Sequence, residues 1–383
     1  MTDVLIVGAG PAGAVAATVL ARAGARVRLL DRATFPRDKL CGDTVNPGTL
    51  TLLRRLGMSD CIEGHGLVVD GMTLTGEHGI SIAGRYPRGL IGRALVRRDV
   101  DWSLLVRAMA AGAEFEPGVA VRRPIIEPRA RGFAVSGVVA GRDGHSSELR
   151  ARVTIAADGR RSTLSFGLGL ARHPRTPRRW AVGAYFSDVA GLTTFGEMHV
   201  RRDKYIGVAA VPGGVTNVCL VKPSQPADPD LVDAESLLMR EVGRDPELRD
   251  RFAQARLVRP PVVLGPLAVD AKPVAIDGLL VAGDAAGFVD PITGDGLRFA
   301  VRGGELAAMA ALEALEHGWS GVHVRLTARR RREFASKCRF NRAIRALVSS
   351  PRAIGAATFA ARFTPAMFEA IIRKAGDCDL CSR

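Results

Sequence analysis

Close to its start the chain sets three glycines, Gly8, Gly10 and Gly13, between an apolar run and an alanine-rich stretch, with an acid, Asp31, eighteen residues further on. A Gly-x-Gly-x-x-Gly turn opening a helix suits phosphate chemistry. No side chain blocks a diphosphate, and the first N–H groups and the positive dipole end of the helix face it. Gly8 permits the tight turn, Gly10 the close approach of a pyrophosphate and Gly13 the packing of helix on strand, with Pro11 and Ala12 between them. An acid ending the next strand accepts hydrogen bonds from a ribose diol, so Asp31 completes a dinucleotide-binding pattern. Two related clusters follow. One is Asp158-Gly159-Arg160-Arg161-Ser162; the other is Gly283-Asp284-Ala285-Ala286-Gly287, trailed by Pro291 and Gly294-Asp295-Gly296-Leu297.

The elements that must hold these residues are legible from apolar patterning. Residues 3–7 read as a buried strand, followed by a helix to about Gly24 and a second strand over 25–30. The alternation over 71–82 predicts a hairpin, and 98–111 a helix closed by Gly112. Residues 180–221 are strand-rich, 279–282 form a buried strand entering Gly283, and beyond Gly294 the pattern is helical, interrupted at Pro351 and Pro365. Nucleotide-binding and β-rich pieces alternate, so the expected fold is α/β. A Rossmann-type dinucleotide-binding domain (1–62, 92–173, 262–320) is interleaved with a β-rich substrate domain (63–91, 174–261), and a helical C-terminal region covers 321–383.

Composition sets outer bounds. The chain has 383 residues, 47% apolar, without an apolar run near the ~20 residues that span a bilayer. No signal-peptide pattern is present, and six cysteines without regular spacing do not suggest a disulfide framework, so a soluble cytoplasmic protein is expected. Net charge is +15, spread along the chain apart from Arg329–Arg332. No nucleic-acid-binding motif accompanies it, and nucleic acid is not an expected partner.

The order of the three fingerprints resembles FAD-dependent oxidoreductases of the p-hydroxybenzoate hydroxylase type. Within that group, Arg32-x-x-Phe35-Pro36-Arg37-x-Lys39-x-Cys41-Gly42 resembles the geranylgeranyl reductase family. The resemblance implies that Gly8, Gly10 and Gly13 hold the FAD pyrophosphate and Asp31 the adenosine ribose. It further implies that Arg32, Cys41, Gly42, Arg97, Asp158, Gly159, Gly283, Asp284, Pro291, Gly294, Asp295, Gly296 and Leu297 belong to the cofactor site. The helix opening near Gly294 would aim its N-terminus at the flavin pyrimidine ring. Asp295 stands where the family often has Glu, and Asp43 where it has a second glycine. A plain NAD enzyme would explain the first fingerprint but leaves the third without a use.

Two reactions on FAD remain open. A reductase would pass a hydride to an alkene and needs a proton donor, for which Cys41 is the candidate. A monooxygenase would use NAD(P)H as electron donor and insert oxygen into an apolar or phenolic substrate. A cofactor-retaining binding protein is a third alternative. Lipid-reducing members carry large aromatic residues in the substrate sheet; here the matching run has Ala209 and Val211, leaving room for a bulky apolar substrate of prenyl, quinone or polyketide type. The Trp-x-Trp-x-Ile-Pro signature of halogenases is absent. His199 and Glu197 share one face of a strand, expected to be the solvent face. Residues 325–348 form a basic helix that either packs in solvent on the cofactor domain or meets anionic membrane headgroups. Cys378-x-x-Cys381 resembles half a zinc site or a redox pair, but no second pair completes tetrahedral coordination.

Overall fold

The computed structural model describes residues 2–77, 79–130, 132–142, 144–176, 178–348 and 365–382. Six strands form the cofactor-side sheet in the order Ala275–Ile276, Leu279–Val281, Val153–Ala156, Val4–Val7, Val27–Asp31 and Glu114–Pro117. All pairs are parallel except the outermost, Ala275–Ile276. Val4–Val7 and Val153–Ala156 are buried at every position, as expected of parallel strands covered on both faces. The helices Pro11–Arg22, Arg97–Ala110 and Gly296–His317 supply much of the cover, and their apolar residues share one core with the sheet. Pro11–Arg22 and Gly296–His317 meet almost backbone to backbone: a Cβ on Gly304 would lie 2.3 Å from the Ala12 carbonyl oxygen.

The second sheet runs Arg256–Leu257, Arg179–Ser187, Val215–Pro223, Lys204–Val211, Phe195–Arg201, Gly71–Thr75 and Ser81–Arg85. Gly71–Thr75 pairs in parallel with Phe195–Arg201 although well over a hundred residues separate them, so two distant chain segments share this sheet. The pleat sorts its side chains. Val182, Phe186, Ile206, Val208 and Leu220 pack against Leu237, Leu238 and Val242 of the Ala234–Arg244 helix. The opposite face carries Gly183, Tyr185, Gly207, Asn217 and Cys219, with Gly183 opposite Cys219 and Tyr185 opposite Asn217. This second face takes the Leu40–Asp43 segment of the cofactor half. Gly183 is required there, since a Cβ would sit 2.2 Å from Leu40 Cδ1.

C-terminal helices close the molecule. Val322–Val348 joins the main core through Val322, Leu326 and Phe334. Pro365–Ala375 lays Phe368 and Ile372 over Gly84 of the second sheet. The turn Cys378–Ser382 returns to the Pro47–Arg55 helix, where Gly48 N–H donates to the Gly376 carbonyl (3.0 Å). Pro365 opens a helix instead of interrupting one; Pro351 lies outside the described residues.

Candidate active site

The three glycine fingerprints, far apart in sequence, touch in the fold. Gly8 has φ +98°, and a Cβ on it would lie 2.5 Å from the Ala157 carbonyl oxygen, joining the first fingerprint to the second. Gly283, at φ +61°, abuts Ala12 Cβ (2.9 Å to a built Cβ), joining the first to the third. Gly13 lies against Gly8, where a Cβ would meet the Gly8 oxygen at 1.9 Å. Around Gly10, by contrast, the nearest group is the Arg37 guanidinium at 3.5 Å from a built Cβ. The Pro11–Arg22 helix has Pro11 in its first turn, no side-chain cap at Gly10 and no acid in that turn, so its terminal N–H groups are left for a ligand. The Asp31 carboxylate accepts from Ala9 N–H (2.8 Å) and Ala33 N–H (2.9 Å), which fixes it at the strand end. Asp158 accepts from Thr163 N–H (2.7 Å) with one oxygen, while its other, buried oxygen has no hydrogen-bond partner. Burial raises the Asp158 pKa.

Cations surround this cradle. Arg37 pairs with Asp101 (3.2 Å), and Arg97 bonds the other oxygen of the same fully buried carboxylate (2.5 Å). Burial opposes the charge on Arg97, but Asp101 and then Cys41 hold its pKa above the ordinary value. Burial, and next the nearby Arg97, push the Lys39 ammonium down to about 8. Burial lowers Arg160 as well, and Asp284 supports the charge of both Lys39 and Arg160. An open glycine turn, an uncapped helix, an orphaned carboxylate oxygen and converging cations together fit the diphosphate and ribose hydroxyls of FAD. Sequence reading gave no role to Arg37, Lys39 or Arg160, though all three stand inside the quoted motifs. Arg32, which it did name, is exposed. Gly159 (φ +83°) is half-buried beside Asp158, and Leu297 is part of the main core.

Beside the cradle lies a buried polar cluster centred on Asp43. Its φ is +53°, a backbone state that glycine adopts freely. Its carboxylate accepts from Arg97 N–H (2.9 Å), Asn217 Nδ2 (2.8 Å) and the Tyr185 hydroxyl (2.5 Å). Asn217 Nδ2 also donates to the Cys41 carbonyl (3.0 Å), and Cys41 helps hold the Arg97 pKa up. Burial lifts Asp43 to about 6 against the pull of Tyr185 and its other hydrogen bonds. Gly42 lies between Cys41 and Asp43, with nothing within 4 Å of a built Cβ. Asp43, Tyr185 and Asn217 were not found from sequence; the one available signal was the acid standing at a family glycine.

At the third fingerprint, Gly294 takes the left-handed conformation (φ +67°) after Pro291–Thr293, and Asp295 precedes the Gly296–His317 helix without capping it. The Asp295 carboxylate is instead buried against Lys337 (2.9 Å), which also meets Asp377 (3.1 Å). Next to Ile292 and Thr293 an apolar cavity of about 160 Å³ opens between Met72, Leu74, Ile82, Met198 and Val200 of the second sheet and Phe340, Ile344, Phe368 and Ile372 of the C-terminal helices. Ala209 and Val211 are buried and are not among its lining residues, so the space arises beside them and not at them.

His199 and Glu197 do share a face, but it is buried and turned away from this cavity. His199 Nε2 meets Glu197 (2.9 Å), its Nδ1 meets Thr75 (2.9 Å), and Arg251 grips Glu197 with both amino groups (2.7 and 2.8 Å). The expected solvent face is therefore an interior ionic lock. Cys378 is buried, and its thiol is pushed up to about 12 by burial and by Cys381, which opposes redox chemistry. Among the described residues no helix is long and apolar enough to cross a membrane.

Comparison with known proteins agrees with this geometry. Residues 1–338 match the FAD binding domain family. The chain is 34% identical over 333 residues to geranylgeranyl diphosphate reductase of Rhodobacter capsulatus, covering 82% of this chain and 76% of that one. It is 32% identical over 324 residues to menaquinone reductase of Mycobacterium tuberculosis, covering 80% and 75%. It spans 63% of conditioned medium factor receptor 1 of Dictyostelium discoideum, at 29% identity over 82% of this chain. A geranylgeranyl bacteriochlorophyll reductase-like protein of Thermoplasma acidophilum superposes with TM-score 0.78 (21% identity, 92% and 94% coverage), and a flavin-dependent brominase with 0.83 (20%, 98% and 94%); both share the fold. The chain thus belongs to the FAD binding domain family and, more narrowly, to its geranylgeranyl reductase-like oxidoreductases. It is an FAD-dependent oxidoreductase.

Proposed function

We propose that this oxidoreductase reduces carbon–carbon double bonds of a bulky apolar substrate of prenyl or quinone type, with NAD(P)H as electron donor. The observation that carries the reading is the apolar cavity beside Ile292 and Thr293, immediately before the Gly294–Gly296 turn. FAD, when bound, supplies hydride chemistry. Gly8, Gly10, Gly13, the first helix and the cations Arg37, Lys39 and Arg97 would hold its phosphates, Asp31 its adenosine ribose, and the N-terminus of Gly296–His317 the electron-rich side of its ring. The chamber walls exclude water and orient an apolar acceptor. The names of the Rhodobacter and Mycobacterium relatives support this substrate class.

The basic outer face of Val322–Val348 completes the proposal. Arg331, Arg332 and Arg339 line a surface groove on the helix whose other side supplies Phe340 and Ile344 to the chamber, and they suit anionic headgroups. Incubating holoprotein with NAD(P)H and either geranylgeranyl diphosphate or menaquinone, with and without oxygen, tests the reaction. Anaerobic gain of two hydrogens is expected. Product formed only with oxygen, carrying one added oxygen atom, would make the protein a monooxygenase instead.

A further inference from the structure

Asp43 stands where the resembling family has glycine, and it keeps glycine's backbone conformation while placing a carboxylate at the junction of three elements. Among the groups bonded to it, Arg97 and Asn217 are buried and Tyr185 is partly open. We propose that Asp43 and Tyr185 deliver the proton that completes alkene reduction, Tyr185 as the terminal donor and Asp43 as the acid that recharges it. This rests on the reductive reading above.

The balance is simple. The alkene gains a hydride from the reduced flavin, named here as the reductant, at one carbon. At the other carbon its π pair forms a C–H bond with the Tyr185 proton, and the O–H pair stays on the phenol oxygen. Protonated Asp43 then returns a proton to that oxygen across the 2.5 Å contact and is itself recharged from solvent. When Asp43 is ionised, the Tyr185 hydroxyl is committed to it as donor; when Asp43 is protonated, the contact reverses and the phenol proton is released toward the acceptor. Arg97 N–H and Asn217 hold the carboxylate in place in both states.

The surroundings suit an acid that titrates in the working range. Facing Asp43 are Cys41 on its own segment, Arg97 from the Arg97–Ala110 helix with its partner Asp101, Tyr185 on one strand and Cys219 on the next. Lys39 and Arg37 lie around Arg97, and Arg259, paired with Asp38 (2.7 Å), stacks over the Tyr185 ring at 5.1 Å. Burial is the largest influence on Asp43 and keeps it protonated up to about 6.

Two measurements test the pair. Infrared titration of the oxidised holoprotein should show, in the difference between wild type and Asp43→Asn, a buried carboxylic-acid band that vanishes near pH 6; no such difference band would overturn the proposal. In anaerobic single turnover with geranylgeranyl diphosphate as probe, flavin reoxidation should slow about tenfold per pH unit above pH 6. Tyr185→Phe and Asp43→Asn should each slow it at least about tenfold at pH 6 and remove the pH dependence, with flavin content and dithionite reduction unchanged. Asp43→Gly, which suits the backbone, guards against misfolding and should behave like Asp43→Asn. Wild-type turnover with an unaltered pH profile in the variants overturns the relay alone; no wild-type consumption of the alkene overturns the reductive reading and the relay together.

Discussion

Gly13 and Asp43 show how differently single residues announce themselves. A methyl on Gly13 would lie 1.9 Å from the Gly8 oxygen, a backbone atom without freedom to move aside. Gly13→Ala should therefore yield folded protein that has lost its flavin, read from the visible absorbance of purified material. Such glycines are legible in sequence because the chemistry demands the residue type and the spacing is local. Asp43 is another matter, since its partners Tyr185 and Asn217 come from strands more than 140 residues away and carry no motif. Its titration has a consequence for stability. The folded value near 6 lies above the ordinary carboxylate value, so the contribution is fully present below about pH 4 and lost as pH rises through 6. Relative to Asp43→Asn, the wild type should lose up to about 3 kcal/mol between pH 4 and pH 7, measured by denaturant unfolding. A pH-independent difference between the two proteins would contradict this.

Elements were readable where periodicity is strong and obscure where tertiary cover decides. The helix expected over 98–111 is Arg97–Ala110, and the hairpin over 71–82 is the pair Gly71–Thr75 and Ser81–Arg85. Alternation placed Glu197 and His199 together, but it says nothing of what covers their face; Arg251, some fifty residues later, covers it. The helix Val322–Val348 likewise reads as basic and solvated, yet Lys337 turns inward and joins Asp295 to Asp377. That contact fastens the C-terminal turn to the residue preceding the Gly296–His317 helix. Lys337→Met leaves the Asp295 carboxylate buried without its cation, while Asp377 keeps Arg298 (3.2 Å), and should destabilise the protein by about 3–5 kcal/mol. Chemical denaturation checks this, and a loss within 1 kcal/mol, the typical range for an exposed pair, would contradict it.

Taken whole, the molecule places its flavin cradle against one face of a long sheet and roofs the far end of that face with C-terminal helices. Its charge of +15 and the groove lined by Arg331, Arg332 and Arg339 predict salt-sensitive co-sedimentation with anionic vesicles. Replacing these three arginines with glutamine should weaken it severalfold; equal binding to neutral vesicles would count against the membrane reading. Two distant segments, Gly71–Thr75 and Phe195–Arg201, share the second sheet. The chamber was not legible in the sequence, because its walls come from five separated parts of the chain. That chamber is the centre of the functional proposal, and Met198, which lines it on the face opposite the Glu197–His199 lock, offers the most direct test. In Met198→Trp holoprotein, flavin content and reduction by dithionite should match the wild type, while anaerobic reoxidation by geranylgeranyl diphosphate falls at least about tenfold as the ring fills the space. Reoxidation at the wild-type rate would mean that the acceptor does not sit there.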